Sequence, residues 1–166
     1  MRVVLVHDFL MQFGGAERVL RALALLFPDA PIHTLLFDEA IVKKHFPDRV
    51  VKGSFLQSLP EGVRAHHRLL LPLYPYAVGR FDVRDFDVII SSSSVFAKGV
   101  KRGARATHIC YCHAPSRFLW EEQRQYLKDN HYGGFMRGIV NYALAPLLRQ
   151  WDIASSRRVD IWIANS

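Results

Sequence analysis

The stretch RVVLVHDFLMQFGGAERVLRALALLFPD, residues 2–29, sets the fold class. Val3 to Val6 is a continuous apolar run, the pattern of a parallel strand covered on both faces. From Ala16 to Phe27 the apolar residues Val19, Leu20, Leu23, Leu26 and Phe27 recur at helical spacing, and Pro28 with Asp29 supplies a stop. A strand therefore passes into a helix through a short turn that holds two adjacent glycines, Gly14 and Gly15.

The same alternation continues outward. Ile32–Phe37 reads as a second strand, and DVIISSSS, residues 87–94, as a β-branched strand ending in a polar loop. Thr107–Cys112 is another strand, closed by His113, Ala114 and Pro115. Met136, Ile139, Val140, Ala143, Leu144, Leu147, Leu148 and Trp151 mark one long amphipathic helix that Pro146 is expected to kink. Val159–Ala164 is a last strand. Between Asp38 and Phe81 the reading is coarser: a charged patch at Lys43, Lys44 and His45, a short helix near Glu61–Leu71, and a Pro-rich run from Leu69 to Phe81. Apolar strands alternating with helices give an α/β fold, Rossmann-like, with a mostly parallel sheet and helices on both faces; one domain spans residues 1–166.

In such sheets a ligand binds beyond the carboxyl ends of the strands, near the switch in strand order. Those ends here are His7–Gly15, Ser91–Lys98 and His113–Trp120. A helix preceded by glycines offers unpaired N–H groups and a partial positive charge, which suits a phosphate; a tight turn is the competing reading of the same glycines. Neither the G-x-G-x-x-G fingerprint nor a Walker A lysine motif is present, which weakens an oxidoreductase or NTPase reading.

Composition bounds the partners. The chain carries 22 basic and 15 acidic residues, a formal charge of +7, which favours anionic partners without choosing among them. No aromatic-basic platform or recognition-helix pattern supports nucleic acid. The two cysteines, Cys110 and Cys112, are too few for a disulfide framework, so a cytoplasmic location is expected. HICYCH, residues 108–113, suggests a metal at first sight. On a strand, however, His108, Cys110 and Cys112 share one face, His113 points the other way, and no second pair completes a shell, so no metal site is expected. The Leu69–Phe81 run is either a buried connection or, together with Lys98, Lys101, Arg102, Arg105, Arg157 and Arg158, a surface that docks peripherally on the anionic inner face of a membrane.

Four motifs in order, HDFLMQFGGAERVL, SSSSVFAKGV, YCHAPSRFLW and WDIASSRRVDIWIANS, resemble retaining glycosyltransferases of the GT-B fold, family 4. The similarity is closest to bacterial mannosyltransferase-like enzymes of polysaccharide and lipid-linked glycan biosynthesis. The resemblance implies the N-terminal, acceptor-side half of a two-domain transferase. The E-x7-E segment of the donor half has no counterpart here, so the C-terminal donor-binding domain would be a partner of this chain, which alone should not turn over. It also implies transfer of a hexose, with mannose from GDP-mannose as the suggested donor, to a glycan or lipid-linked acceptor with retention and without a metal or cofactor.

Site residues follow from the same resemblance. Gly14, Gly15 and Ala16 would approach the donor diphosphate. His113, in a segment similar to the family's H-x-P-x-R loop, would lie at the reaction centre. His7, Asp8, Ser93, Arg117 and Trp120 would line the acceptor side, Arg117 holding an anionic group and Trp120 stacking on a sugar. Each has a plain alternative: Asp8 as a turn cap, Trp120 as a core residue, Arg117 as a surface charge, the serine run as ordinary loop. Glu17, opening the first helix, reads as structural. A noncatalytic phosphate- or glycan-binding α/β module is the second hypothesis.

Overall fold

The strand–turn–helix read from residues 2–29 forms in a computed structural model of the chain as strand β1, Val3–Leu10, and helix α1, Gly15–Leu26. The structure describes residues 1–114, 117–120 and 144–164. After α1 come β2 (Ile32–Phe37), α2 (Glu39–His45), β3 (Val51–Gly53), α3 (Glu61–Ala65) and α4 (Tyr74–Val78). Then follow β4 (Val88–Ser93), β5 (Thr107–Cys112), α5 (Arg117–Trp120), α6 (Ala145–Ser156) and β6 (Ile161–Ala164).

The six strands form one sheet in the order β3-β2-β1-β4-β5-β6, and every neighbouring pair is parallel. The chain builds outward from β1 to β3, then returns to lay β4 against the other side of β1. The switch point therefore lies between β1 and β4, where diverging connections leave a crevice at the carboxyl ends.

Alternation along the strands fills both faces. On one, Leu5, Ile32 and Ile90 meet Leu20 and Ala24 of α1 and Phe46. On the other, Val4, Val6, Leu35 and Ile89 meet Tyr74, Ala77 and Val78 of α4, Phe96, and Leu148 of α6. Each fully buried side chain of this size contributes about 1.5–3 kcal/mol. The α/β class with a parallel, Rossmann-like sheet is thus as the sequence reads.

Several elements differ from the reading. Leu26 is 71% exposed, because six residues beyond Leu20 it lies about 120° round the helix. The stripe instead includes Glu17, Leu20 and Ala24, and Glu17 is a buried carboxylate. The expected helix over Glu61–Leu71 stops at Ala65; Pro72 sits in a 3-10 stretch, His67–Leu73, and Pro75 in the first turn of α4. The patch with Lys43 and Lys44 is helix α2, started by Asp38, whose carboxylate accepts from the N–H groups of Ala40 and Ile41. Met136, Ile139, Val140 and Ala143 lie outside the described residues. Pro146 stands in the first turn of α6, where its missing N–H costs little.

Candidate functional site

A cleft of about 670 Å³ opens at the switch point. The end of β1 supplies His7, Asp8 and Phe9, the start of α1 supplies Gly14 to Glu17, and the loop after β4 supplies Ser94 and Val95. Arg64, Ala65 and His67 line it from the segment between β3 and β4.

His7 is buried in its floor. Parallel register sets His7 beside Ser92, and the ring Nδ1 lies 3.0 Å from the Ser92 carbonyl oxygen and 3.1 Å from its hydroxyl. A carbonyl only accepts, so Nδ1 carries the proton. Nε2 then faces Glu17, 3.7 Å from Oε1, an electrostatic pairing longer than a hydrogen bond. The other Glu17 oxygen accepts from the Gly14 N–H at 2.7 Å. On the far side, Ser92 Oγ is 2.7 Å from His113 Nε2. The hydroxyl, accepting from His7, donates to His113 and leaves the proton of His113 on Nδ1. A polar relay thus joins His113 to His7 through Ser92, and beyond His7 stands Glu17, hydrogen-bonded to Gly14, with the two imidazoles edge to face at 6.5 Å.

Burial alone would raise the Glu17 pKa. The pairing with His7, the N–H groups of Glu17 and Gly14 and the charge of His7 outweigh it, and the carboxyl is held below its ordinary value. The pKa of the half-buried His113 is lowered too: burial first, then His7, outweigh Asp8 and Glu17, which favours the neutral ring.

The two glycines differ. Neither adopts left-handed backbone, and Gly14 has φ −114° and ψ −152°. A Cβ at Gly14 would sit 3.2 Å from Glu17 Oε2, and its N–H is already taken. A Cβ at Gly15 would meet nothing within 4 Å, since the residue faces the open cleft. Main chain available to a visitor is therefore that of Gly15 and Ala16, with Gly14 withdrawn from the expected trio.

Three residues expected on the acceptor side are engaged by the protein's own groups. Both carboxylate oxygens of Asp8 are filled by four consecutive N–H groups, those of Ser94, Val95, Phe96 and Ala97, at 2.5–2.9 Å. The loop forms an anion nest, and the anion is Asp8 itself. Ser93 is buried, 3.4 Å from Asp8 Oδ1, and its Oγ accepts from the Lys98 N–H at 3.3 Å, so it belongs to the same cap. Trp120 donates its indole N–H to Asp152 at 3.1 Å, and the Arg149 guanidinium covers its ring at 5.5 Å, both from α6. The side chain of Arg117, in the first turn of α5, lies outside the described residues.

The basic face is also reduced. Lys98 is buried and pairs with Asp152 at 2.6 Å, while Arg102 pairs with Asp160. From the Pro-rich run Leu70, Leu71, Tyr74, Ala77, Val78 and Phe81 are buried, which realises the connection reading for most of it, though Leu69, Leu73 and Tyr76 are exposed. Among the described residues no helix is long and apolar enough to cross a membrane, and no group of three or more His, Cys, Asp or Glu is placed to hold a metal. Cys110 packs in the interior, where burial pushes its thiol up to about 12.

Sequence reasoning missed Ser92 and Glu17 as members of the relay. The signals were present: Glu17 lies three and seven residues before Leu20 and Ala24 on the buried stripe, and Ser92 shares the β4 face of Ile90. Comparison of the chain with protein-family models, with curated proteins and with solved structures found no match.

Proposed function

We propose that the chain is the acceptor-side domain of a retaining GT-B glycosyltransferase, moving a hexose such as mannose from a nucleotide sugar to a glycan or lipid-linked acceptor. The observation that carries the reading is Gly15. Neither backbone angle nor internal packing requires glycine there, yet it leaves bare main chain on a cleft at the switch point. The amides of Gly15 and Ala16, at the positive end of α1, would take oxygens of the leaving diphosphate and stabilise the charge that develops as the glycosidic bond breaks. His113, neutral and oriented by Ser92, offers Nδ1–H to a sugar hydroxyl, and the relay behind it fixes the ring. Glu17 faces His7 and accepts from the Gly14 N–H, so the carboxylate is held within the wall.

The experiment follows release of nucleoside diphosphate from GDP-mannose and other nucleotide sugars by the intact protein. His113→Ala should lower kcat/KM by about a hundredfold. Gly15→Ala should lower it by about tenfold while leaving stability equal or up to about 1 kcal/mol higher, since alanine is the better helix former. Nucleotide-sugar binding with no turnover in any variant would instead favour the noncatalytic module. Unchanged turnover in both variants overturns the proposal.

A further inference from the structure

A second pocket, of about 510 Å³, lies away from the cleft at the β2–β3 edge of the sheet. Its floor is His33, which is 5% exposed. Register places His33 directly beside Lys52 on β3, so both side chains emerge on one face. Arg80, just beyond α4, and Asp82 stand at the rim, with Phe55 and Tyr76 forming an aromatic lip, rings 5.8 Å apart. The Arg80 guanidinium lies 5.9 Å from the Tyr76 ring centre.

His33 is the anomaly. Its surroundings contribute burial, the charge of Lys52 and the charge of Asp82, and among the described residues no hydrogen bond to either ring nitrogen. With no hydrogen bond from the described residues, the ring depends on whatever fills the pocket to satisfy its N–H and its lone pair. Here the ring opens on a cavity, so a ligand in that cavity can satisfy it. The nature of that ligand follows from the donors around it. An ammonium, a guanidinium fork and a neutral imidazole N–H line it, against one carboxylate, Asp82. A planar carboxylate offers two oxygens; a terminal phosphoryl group offers three, arranged as a tripod that three separate donors can share. The aromatic lip, with Phe55 and Tyr76 exposed, gives the organic part of such an ester an apolar surface.

We infer that the His33–Lys52–Arg80 pocket is a binding site for a terminal phosphoryl monoester. Its source is either a soluble phosphate ester or the headgroup of a phosphomonoester lipid, whose acyl chains would leave past the exposed Phe55 and Tyr76. The site is independent of the cleft and of the transferase reading.

The test observes the side-chain nitrogen resonances of His33 in the full, ¹⁵N-histidine-labelled chain at constant ionic strength. The probes are inorganic phosphate, phenyl phosphate, and phosphatidylcholine vesicles with and without phosphatidic acid. A saturable shift with phenyl phosphate assigns a soluble ester; a response only to phosphatidic acid vesicles assigns the lipid headgroup. Either response should weaken by about tenfold or more in Lys52→Ala/Arg80→Ala, because two charge-assisted hydrogen bonds are lost. Both residues are exposed, so that variant keeps its fold; Gly15→Ala should bind as wild type does. Absence of a shift with all probes, or a response that the double variant retains in full, overturns the assignment.

Discussion

Asp8 ends β1 with both carboxylate oxygens occupied by main-chain N–H groups of residues 94–97. A residue that looks like a ligand-binding acid at a strand end is here the internal anion that shapes the next loop. Asp8→Asn replaces one accepting oxygen with an NH₂ group that faces N–H donors. The expected loss is about 2–4 kcal/mol of stability, as for charge-assisted hydrogen bonds broken in a buried place, read from denaturant midpoints. A variant as stable as the wild type that loses only ligand binding would restore the acceptor role. His113 and the double glycine were legible because they punctuate strand ends, where side chain and backbone must face a crevice. Asp8 was legible only as the alternative turn cap, without the loop that it caps, and Ser92 was not, because their partners depend on how β1 and β4 align. Which serine of four reaches His7 is a matter of register, and register is a contact between segments 85 residues apart.

At the scale of elements, helical periodicity located α1 because its apolar spacing runs through three turns. It failed for α2, whose apolar residues Ala40, Ile41 and Val42 are consecutive and describe no stripe, and between Glu61 and Val78, where prolines break the helix into short turns. Least visible was the single turn at Ala97–Gly99, which wedges between β4 and α6. A Cβ on Gly99 would overlap the indole of Trp151 and crowd Val78. That close approach, rather than backbone freedom, demands glycine. Gly99→Ala should therefore cost about 1–3 kcal/mol through overpacking. Trp151→Phe, which shortens the ring, should recover part of that cost, so a double-mutant cycle should yield a coupling of at least about 0.5 kcal/mol. Additive costs would mean that the turn and α6 move apart without strain. The same contact explains why Lys98 is buried: once Gly99 brings the turn against α6, the ammonium meets Asp152 and not solvent.

For the molecule as a whole, a pattern of alternating strands and helices announced a parallel sheet, whereas strand order and the position of the switch point emerge only from which crossovers fit on which face. That folding places two histidines in the interior as neutral bases. Burial holds both His33 and His108 down to about 4, against 6.5 when unfolded. His108 sits on the face opposite the relay, with Nε2 2.8 Å from Ser91 Oγ and Nδ1 without a hydrogen-bond partner among the described residues. Between those two values the unfolded chain binds more protons than the folded one, so stability must fall as pH falls from 6.5 towards 4. Each histidine contributes up to about 3 kcal/mol to that fall, and the pair a slope approaching about 2.7 kcal/mol per pH unit in mid-window. Glu17, held below its ordinary pKa, adds a stabilisation that is present above about pH 4.5 and is lost as pH falls further. Urea unfolding across this range should show the slope, and His33→Gln should lose about half of it. Repulsion within a chain of formal charge +7 would also weaken it in acid, but salt screens repulsion between exposed charges and does little to desolvation of a buried ring. The acid loss should therefore persist at high ionic strength; a slope that salt abolishes would place the titrating groups on the surface and overturn the interior assignment.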